Sequence, residues 1–303
     1  ILSLFPEMFD GFLNTSIIKR AIDASLVEVN IHDFREYSLN KHKKVDDYPY
    51  GGGAGMVLMC QPIIDCLKDI VTNESLVILM SPQGQTLKQS LSVELSSYKH
   101  LVFICGHYEG FDERIRDYVD MELSIGDYVL TGGELSSMVV CDSIIRLLEG
   151  SIREQSHEDD SFSNGLLEYP QYTRPYEYDG NQVPDVLISG HHENIRKWRL
   201  TQSLLKTYRK RPDLLENRVM SQEELKILEE IKNKRIINFN QFMLYIINNI
   251  FSSFKQMYYT INKIGDKDYY LNKRNHIVQV HSHCSPRMIY IDMHPSGYSP
   301  SYR

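Results

Sequence analysis

Four stretches of this 303-residue chain gather glycines, acids and hydroxyl-bearing residues: Val45–Met56 (VDDYPYGGGAGM), Met80–Leu87 (MSPQGQTL), Cys105–Ile115 (CGHYEGFDERI) and Ser124–Glu134 (SIGDYVLTGGE). Glycine lets a backbone come close to a ligand and adopt torsions other residues avoid. Phosphate is the usual ligand of such loops, and it fits badly here. The last stretch has three glycines, two acids and no lysine or arginine. Gly51–Gly55 lacks the Gly-Lys-Ser/Thr ending of a P-loop, and no G-x-G-x-x-G opens a helix after a strand. One such loop alone reads as a tight turn. Ser-Pro-Gln-Gly and Gly-His-Tyr-Glu-Gly placed directly after apolar runs ask for a ligand.

A second group is basic. From Gly190 to Arg218, eight basic residues (Arg196, Lys197, Arg199, Lys206, Arg209, Lys210, Arg211, Arg218) stand with only three acids, in a chain of net charge −7. Trp198, the only tryptophan, lies among them and reads as packed inward. A local basic stripe in an acidic protein suits phosphate contacts with a nucleic acid. Arg196, Lys197, Arg199, Arg209, Lys210 and Arg211 are the candidate RNA-binding residues, and Lys41–Lys44 (KHKK) is a second patch. His276, His281, His283, Cys284 and His294 fit no standard zinc spacing, so no metal site is expected there.

Apolar runs must hold these loops in place. Leu26–Phe34, Ser75–Met80 and His100–Cys105 read as strands, the last two apolar enough to be covered on both faces. Gln61–Val71, Leu87–Tyr98 and Leu135–Glu149 carry helical spacing. The alternation predicts an α/β fold with a mainly parallel sheet. Two of the glycine-bearing loops then follow carboxyl ends of strands, where open α/β sheets bind ligands. After Gly150 the composition turns polar, as in a linker or mobile loop, and Glu193–Arg209 and Gln222–Lys234 read as helices of a small second domain.

Hydrophobic residues make up 42% of the chain and charged ones 24%, as in soluble globular proteins. Five cysteines without a C-x-x-C point to a reducing, cytoplasmic setting, with Cys105 and Cys141 as buried thiols. The chain opens within an apolar run, ILSLFPEMF, and is expected to begin inside a strand. Ile236–Phe254 is uncharged but interrupted by Asn238, Asn240, Gln241, Asn248 and Asn249, which argues against a membrane span.

The four stretches, in this order and spacing, resemble the bacterial tRNA (guanine-N1) methyltransferases, a SPOUT-type family that methylates the guanosine 3′ of the anticodon. The resemblance runs from Ile1 to about Ile231 and includes EDDSFSNGLLEYPQYTRP and VLISGHHENIRKWRL. It implies a deep trefoil knot, which chain physics would not suggest, holding bent S-adenosylmethionine. That ligand has no phosphate, and backbone groups can read its adenine and ribose without a basic side chain. The implied cofactor residues are Ser81, Pro82, Gly84, Gly106, Tyr108, Glu109, Ser124, Ile125, Gly126, Tyr128, Leu130, Gly132 and Gly133.

The resemblance also assigns Asp160 as the base that takes the N1 proton and Arg146 as the cation at guanine O6. An aspartate of ordinary pKa near 3.9 is a weak base for that proton, and a cation at O6 lowers the demand on it. Glu109 and Asp127 are acids that could meet the methionine ammonium, the sulfonium or Mg²⁺, and no metal ligands are assigned. Homodimers are implied, with tRNA ordering the linker and Asp160 serving the partner's cofactor.

The domains read as 1–152 (cofactor-binding), 153–168 (linker), 169–235 (helical, tRNA-binding) and 236–303, which matches nothing in the family and reads as a fused or read-through tail. Ser136 stands where the family usually has Pro, and Tyr48 where it has Arg. Three other readings stay open: a ribose 2′-O-methyltransferase of related fold, an RNA-binding protein of this fold without activity, and a nucleotide-phosphate enzyme, which the missing P-loop lysine disfavours.

Overall fold

The computed structural model describes residues 1–152, 160–216, 218–233, 269–271 and 277–279. The chain divides into two compact units, Ile1–Glu229 and Glu230–Arg303. In the second, Tyr269–Leu271 pairs antiparallel with Ile277–Gln279. The span Ile236–Phe254 and the five tail His and Cys residues lie outside the described residues. Among the described residues no helix is long and apolar enough to cross a membrane.

The first unit is built on a parallel sheet. Its strands are β1 (Leu2–Ser3), β2 (His32–Asp33), β5 (Ser75–Thr86), β6 (His100–Ile104) and β7 (Met121–Ser124), in the order β2-β1-β6-β5-β7. Two short strands, β3 (Asp46–Asp47) and β4 (Val57–Leu58), make a hairpin around the first glycine stretch. Period-two alternation divides the apolar residues of β5 and β6 between two cores. Ile78, Met80, Phe103 and Cys105 join one core, with the helices Ser16–Asp23, Gln89–Leu95 and Glu134–Ile145. Val77, Leu79, Val102 and Ile104 join the other, with the helix Cys60–Ile70. The α/β, mainly parallel architecture is therefore as expected from the sequence.

The elements differ from the sequence reading in instructive ways. Leu26–Phe34 forms a ladder only at His32–Asp33, because its sole neighbour, β1, pairs through Leu2 and Ser3. Val27, Val29 and Ile31 still pack on the core. The helix read as Leu135–Glu149 is Glu134–Ile145, and Arg146 caps its carboxyl end. The helix Ser16–Asp23 was not read, although Ile18 and Ala21 are buried one turn apart. β5 does not stop at Met80. It throws out Ser81–Gly84 and resumes, so that Met80 and Gln85 both pair with Leu123.

That extrusion fixes the role of Gly84. A Cβ there would stand 2.3 Å from the carbonyl carbon of Glu122 in the adjacent strand. Backbone cannot yield as a side-chain tip can, so Gly84→Ala is expected to lower the unfolding free energy by about 1–3 kcal/mol. Gly11→Ala, in a helical turn with no atom within 4 Å, is expected to be neutral or stabilising. Urea unfolding of both variants checks this; equal stability of the two would refute the tight return of the loop.

Candidate active site

A cavity of about 300 Å³ opens at the carboxyl ends of β5, β6 and β7. Three walls come from the loops the sequence singled out. Ser81 and Pro82 belong to the segment extruded from β5, Gly106, Tyr108 and Glu109 follow β6, and Ser124, Ile125, Gly126, Tyr128, Leu130, Gly132 and Gly133 follow β7. Gly84 does not line the cavity; it is spent on the close packing against β7. Asp127 does not line it either. The Gly133 N–H donates to the Gly106 carbonyl at 2.9 Å, which draws the second and third walls together.

The lining also holds His107, within the implied loop Gly106–Glu109, and Ser136, and it adds Phe111 and Arg116, which the sequence reading missed. Arg116 qualifies the absence of basic residues in these loops. Its Nε donates to Glu122 at 2.8 Å and its Nη2 to Gln83 at 3.3 Å, and it also pairs with Glu113. The Glu122 carboxylate raises the pKa of this guanidinium, so the charge is permanent and already matched. The Ser136 hydroxyl donates to the Gly133 carbonyl at 2.8 Å, tying the start of its helix to the loop before it. Below the cavity, burial pushes the Cys105 thiol well above its usual range and the Cys141 thiol up to about 12. Both are inert core residues, as expected.

Glu109 is exposed on the cavity wall, and its backbone N–H donates to the Met56 carbonyl at 3.0 Å. The first glycine stretch is thereby docked beside the site without lining it.

Arg146 and Asp160 meet. Arg146 Nη2 lies 2.6 Å from Asp160 Oδ2, with each side chain about one-third exposed (31%). Neither residue lines the cavity of its own chain. Arg146 stands at a helix carboxyl end, where a cation is favoured. Asp160 is placed from the other side. Downstream of it, Leu166 is buried, the Leu167 N–H donates to Thr207 Oγ1 at 2.8 Å, and Lys206 Nζ donates to the Glu168 carbonyl at 2.9 Å. The described end of the linker is thus fastened to the helix His192–Lys210.

That helix carries the basic stripe, but its charges are not equivalent. Arg196 is held by Glu193 and by Glu223, both at 2.8 Å, and Lys197 lies 3.8 Å from Glu193. The Arg196 guanidinium keeps the Glu193 carboxyl below its usual range. Arg199 stacks over Tyr169 at 4.8 Å. Arg211 pairs with Asp213 at 2.6 Å and lies over Phe162. Lys206 and Arg218 serve structure, through the Glu168 carbonyl and through Glu224. Arg209 and Lys210 are exposed and make no ion pair among the described residues. Trp198 is half-buried beside Tyr172, not fully packed inward as read from the sequence. Among the described residues no three His, Cys, Asp or Glu side chains gather as a metal cage.

Residues 1–217 match the model of the family described as tRNA (Guanine-1)-methyltransferase TrmD. The chain is 58% identical over 236 residues to a tRNA (guanine-N(1)-)-methyltransferase of Staphylococcus carnosus (strain TM300), covering 77% of this chain and 96% of the relative. It is 56% identical over the same length to the protein of that name from Staphylococcus haemolyticus (strain JCSC1435), with the same coverage. With the protein of that name from Staphylococcus aureus (strain N315) it shares 57% identity over 234 residues, 76% of this chain and 96% of the relative. The order of the glycine loops, the sheet that carries them and these matches together make the chain a member of the tRNA (guanine-N1) methyltransferase family.

Proposed function

We propose that this protein transfers a methyl group from S-adenosylmethionine to N1 of the guanosine 3′ of the anticodon in tRNA, with Asp160 as general base and Arg146 as the cation at guanine O6. The observation that carries the reading is the 2.6 Å contact between Arg146 and Asp160. It joins the base and the cation that this reading assigns to deprotonation of guanine N1. Their absence from the cavity of their own chain supports a homodimer in which Asp160 serves the partner's cofactor.

The cavity suits the cofactor. Glycines at 106, 126, 132 and 133 leave the walls without side chains, Ile125, Tyr128 and Leu130 supply apolar contact, and Glu109 offers a carboxylate to an ammonium. When bound, S-adenosylmethionine supplies an electrophilic methyl group on a sulfonium sulfur. The chain's residues then manage one proton and one charge. Asp160 accepts the N1 proton while the N1–carbon bond forms and the carbon–sulfur bond breaks. Arg146 leaves the carboxylate for O6 and stabilises the enolate-like charge there. Mg²⁺ enters this reading only through the family resemblance, and no step depends on ligands from this chain. The deep trefoil knot and the cytoplasmic setting belong to the same proposal.

Asp160→Asn is expected to cut methyl transfer to unmodified tRNA by about 10²–10⁴-fold and to leave S-adenosylmethionine binding within about threefold. Labelled donor with nucleoside analysis of the product, alongside equilibrium dialysis, tests both. A ribose-methylated product would sink the guanine reading, and equal loss of binding would make Asp160 structural.

The dimer has its own signal. On the helix Glu134–Ile145, Ser136 and Ser137 are buried while Leu135 and Val139 are 51% and 48% exposed. Together with exposed Tyr128 and Val129 they leave apolar surface without a partner in one chain. Leu135→Glu combined with Val139→Glu is expected to give a monomer in light scattering and to abolish turnover. A dimer of wild-type stability would remove this face from the interface.

For RNA, the exposed pair Arg209 and Lys210 is the expected phosphate contact, because Arg196 must first give up two carboxylates. Replacing Arg209 and Lys210 by Ala is expected to reduce the slope of log affinity against log salt by about 2. Arg196→Ala should change it less. The reverse ranking would place the RNA at the other end of the helix.

A further inference from the structure

The reaction above leaves a fully buried acid unused. Glu134 opens its helix with its residue fully buried. Its Oε1 accepts the Ser3 hydroxyl at 2.6 Å, and its Oε2 lies 2.8 Å from His107 Nε2. The Ser3 hydroxyl oxygen in turn accepts the Phe5 N–H at 2.9 Å. Ser3 is thereby a donor to Glu134.

These partners come from three parts of the chain, 131 and 27 residues away from Glu134. Ser3 lies in β1, beneath the site. His107 lies in the loop after β6 and lines the cavity. Glu134 directly follows Gly132 and Gly133, which also line it. His107 and Gly132 are bridged through their backbones, and a Cβ on Gly132 would stand 2.3 Å from His107 Cε1 and 2.6 Å from Glu134 Oε2. The missing side chain of Gly132 is the room the pair occupies. Phe5 closes the far side, edge-on to the imidazole at 4.8 Å.

Stability alone gives a poor account of this arrangement. Replacing both partners of a buried hydrogen bond by apolar groups of the same shape can be nearly neutral. Here the pair ties two walls of one cavity to β1.

We propose that Glu134 is a positioning residue for the methyl donor, acting through His107 to hold the Gly106–Gly110 and Thr131–Gly133 loops at the spacing the donor needs. The proposal rests on the reading of this cavity as the S-adenosylmethionine site.

The test uses the full chain and three variants, Glu134→Gln, His107→Gln and the double variant. Glutamine keeps the shape of Glu134 but replaces one acceptor with a donor, so it holds Ser3 and His107 together only if His107 Nε2 turns to accept. Each single variant is expected to raise KM for S-adenosylmethionine tenfold or more, with kcat at saturating donor within threefold of wild type. The double variant should be no worse than the more affected single, as for two residues acting as one unit. Unfolding midpoints accompany the kinetics, and where Glu134→Gln does not fold, His107→Gln carries the same expectation alone. An unchanged KM, a loss confined to kcat, or multiplying effects in the double variant would overturn the positioning role. A wild-type chain that fails to bind S-adenosylmethionine in dialysis would instead overturn the reading of the cavity, and this proposal with it.

Discussion

The structure depends on how closely backbone can pass backbone at the carboxyl ends of β5, β6 and β7. A Cβ on Gly84 would collide with the main chain of Glu122, and one on Gly133 would lie 2.6 Å from the Cα of Cys105. Three loops therefore meet with almost nothing between them, and the cavity is the space they enclose. A phosphate loop uses glycine to aim N–H groups at an anion. Here glycine mainly lets one segment of chain lie against another. The ligand is left with walls of backbone, a few apolar side chains and one exposed acid, Glu109.

That constraint explains which parts of the fold were legible. The runs Ser75–Met80 and His100–Cys105 announce buried strands, since both faces of each are covered. Cys105 and Cys141 could be placed in the core from their apolar neighbours alone. All but one of the thirteen cofactor candidates line the cavity, because the motifs that marked them are themselves the loops. The exception, Gly84, lies outside the lining for a reason no local pattern carries: its neighbour is the backbone of a strand almost 40 residues on. His107 and Glu134 were unreadable on the same ground. Their meaning lies in a contact to Ser3, 131 residues from Glu134, and nothing in GHYEG or TGGEL forecasts it.

Charge tells a similar story. Counting basic residues correctly located an unusual helix in an acidic protein, but could not rank them. Arg196 and Arg211 have acidic partners on the surface, and such exposed pairs are worth only about 0–1 kcal/mol. They remain available to RNA at a small cost, whereas Arg218, largely buried with Glu224, does not. The same distinction separates Arg116, matched by Glu122 inside the cavity wall, from a phosphate-binding arginine.

The pair Arg146–Asp160 shows why neither residue suffices alone. A free aspartate is a poor acceptor for a guanine N1 proton. Held together at 2.6 Å, the two groups satisfy each other and are of little use to any reaction. In the reaction we propose, guanine would change the balance by offering O6 to the arginine and N1–H to the carboxylate at once. As the proton left N1, negative charge would grow on O6, and the attraction of Arg146 would pass from Asp160 to the base. Because both residues are about one-third exposed rather than sealed, this exchange of partners needs no buried charge to be stranded. A base without a ring N–H beside a carbonyl oxygen would leave the ion pair intact, so under this proposal the contact between the two side chains discriminates against adenine and cytosine.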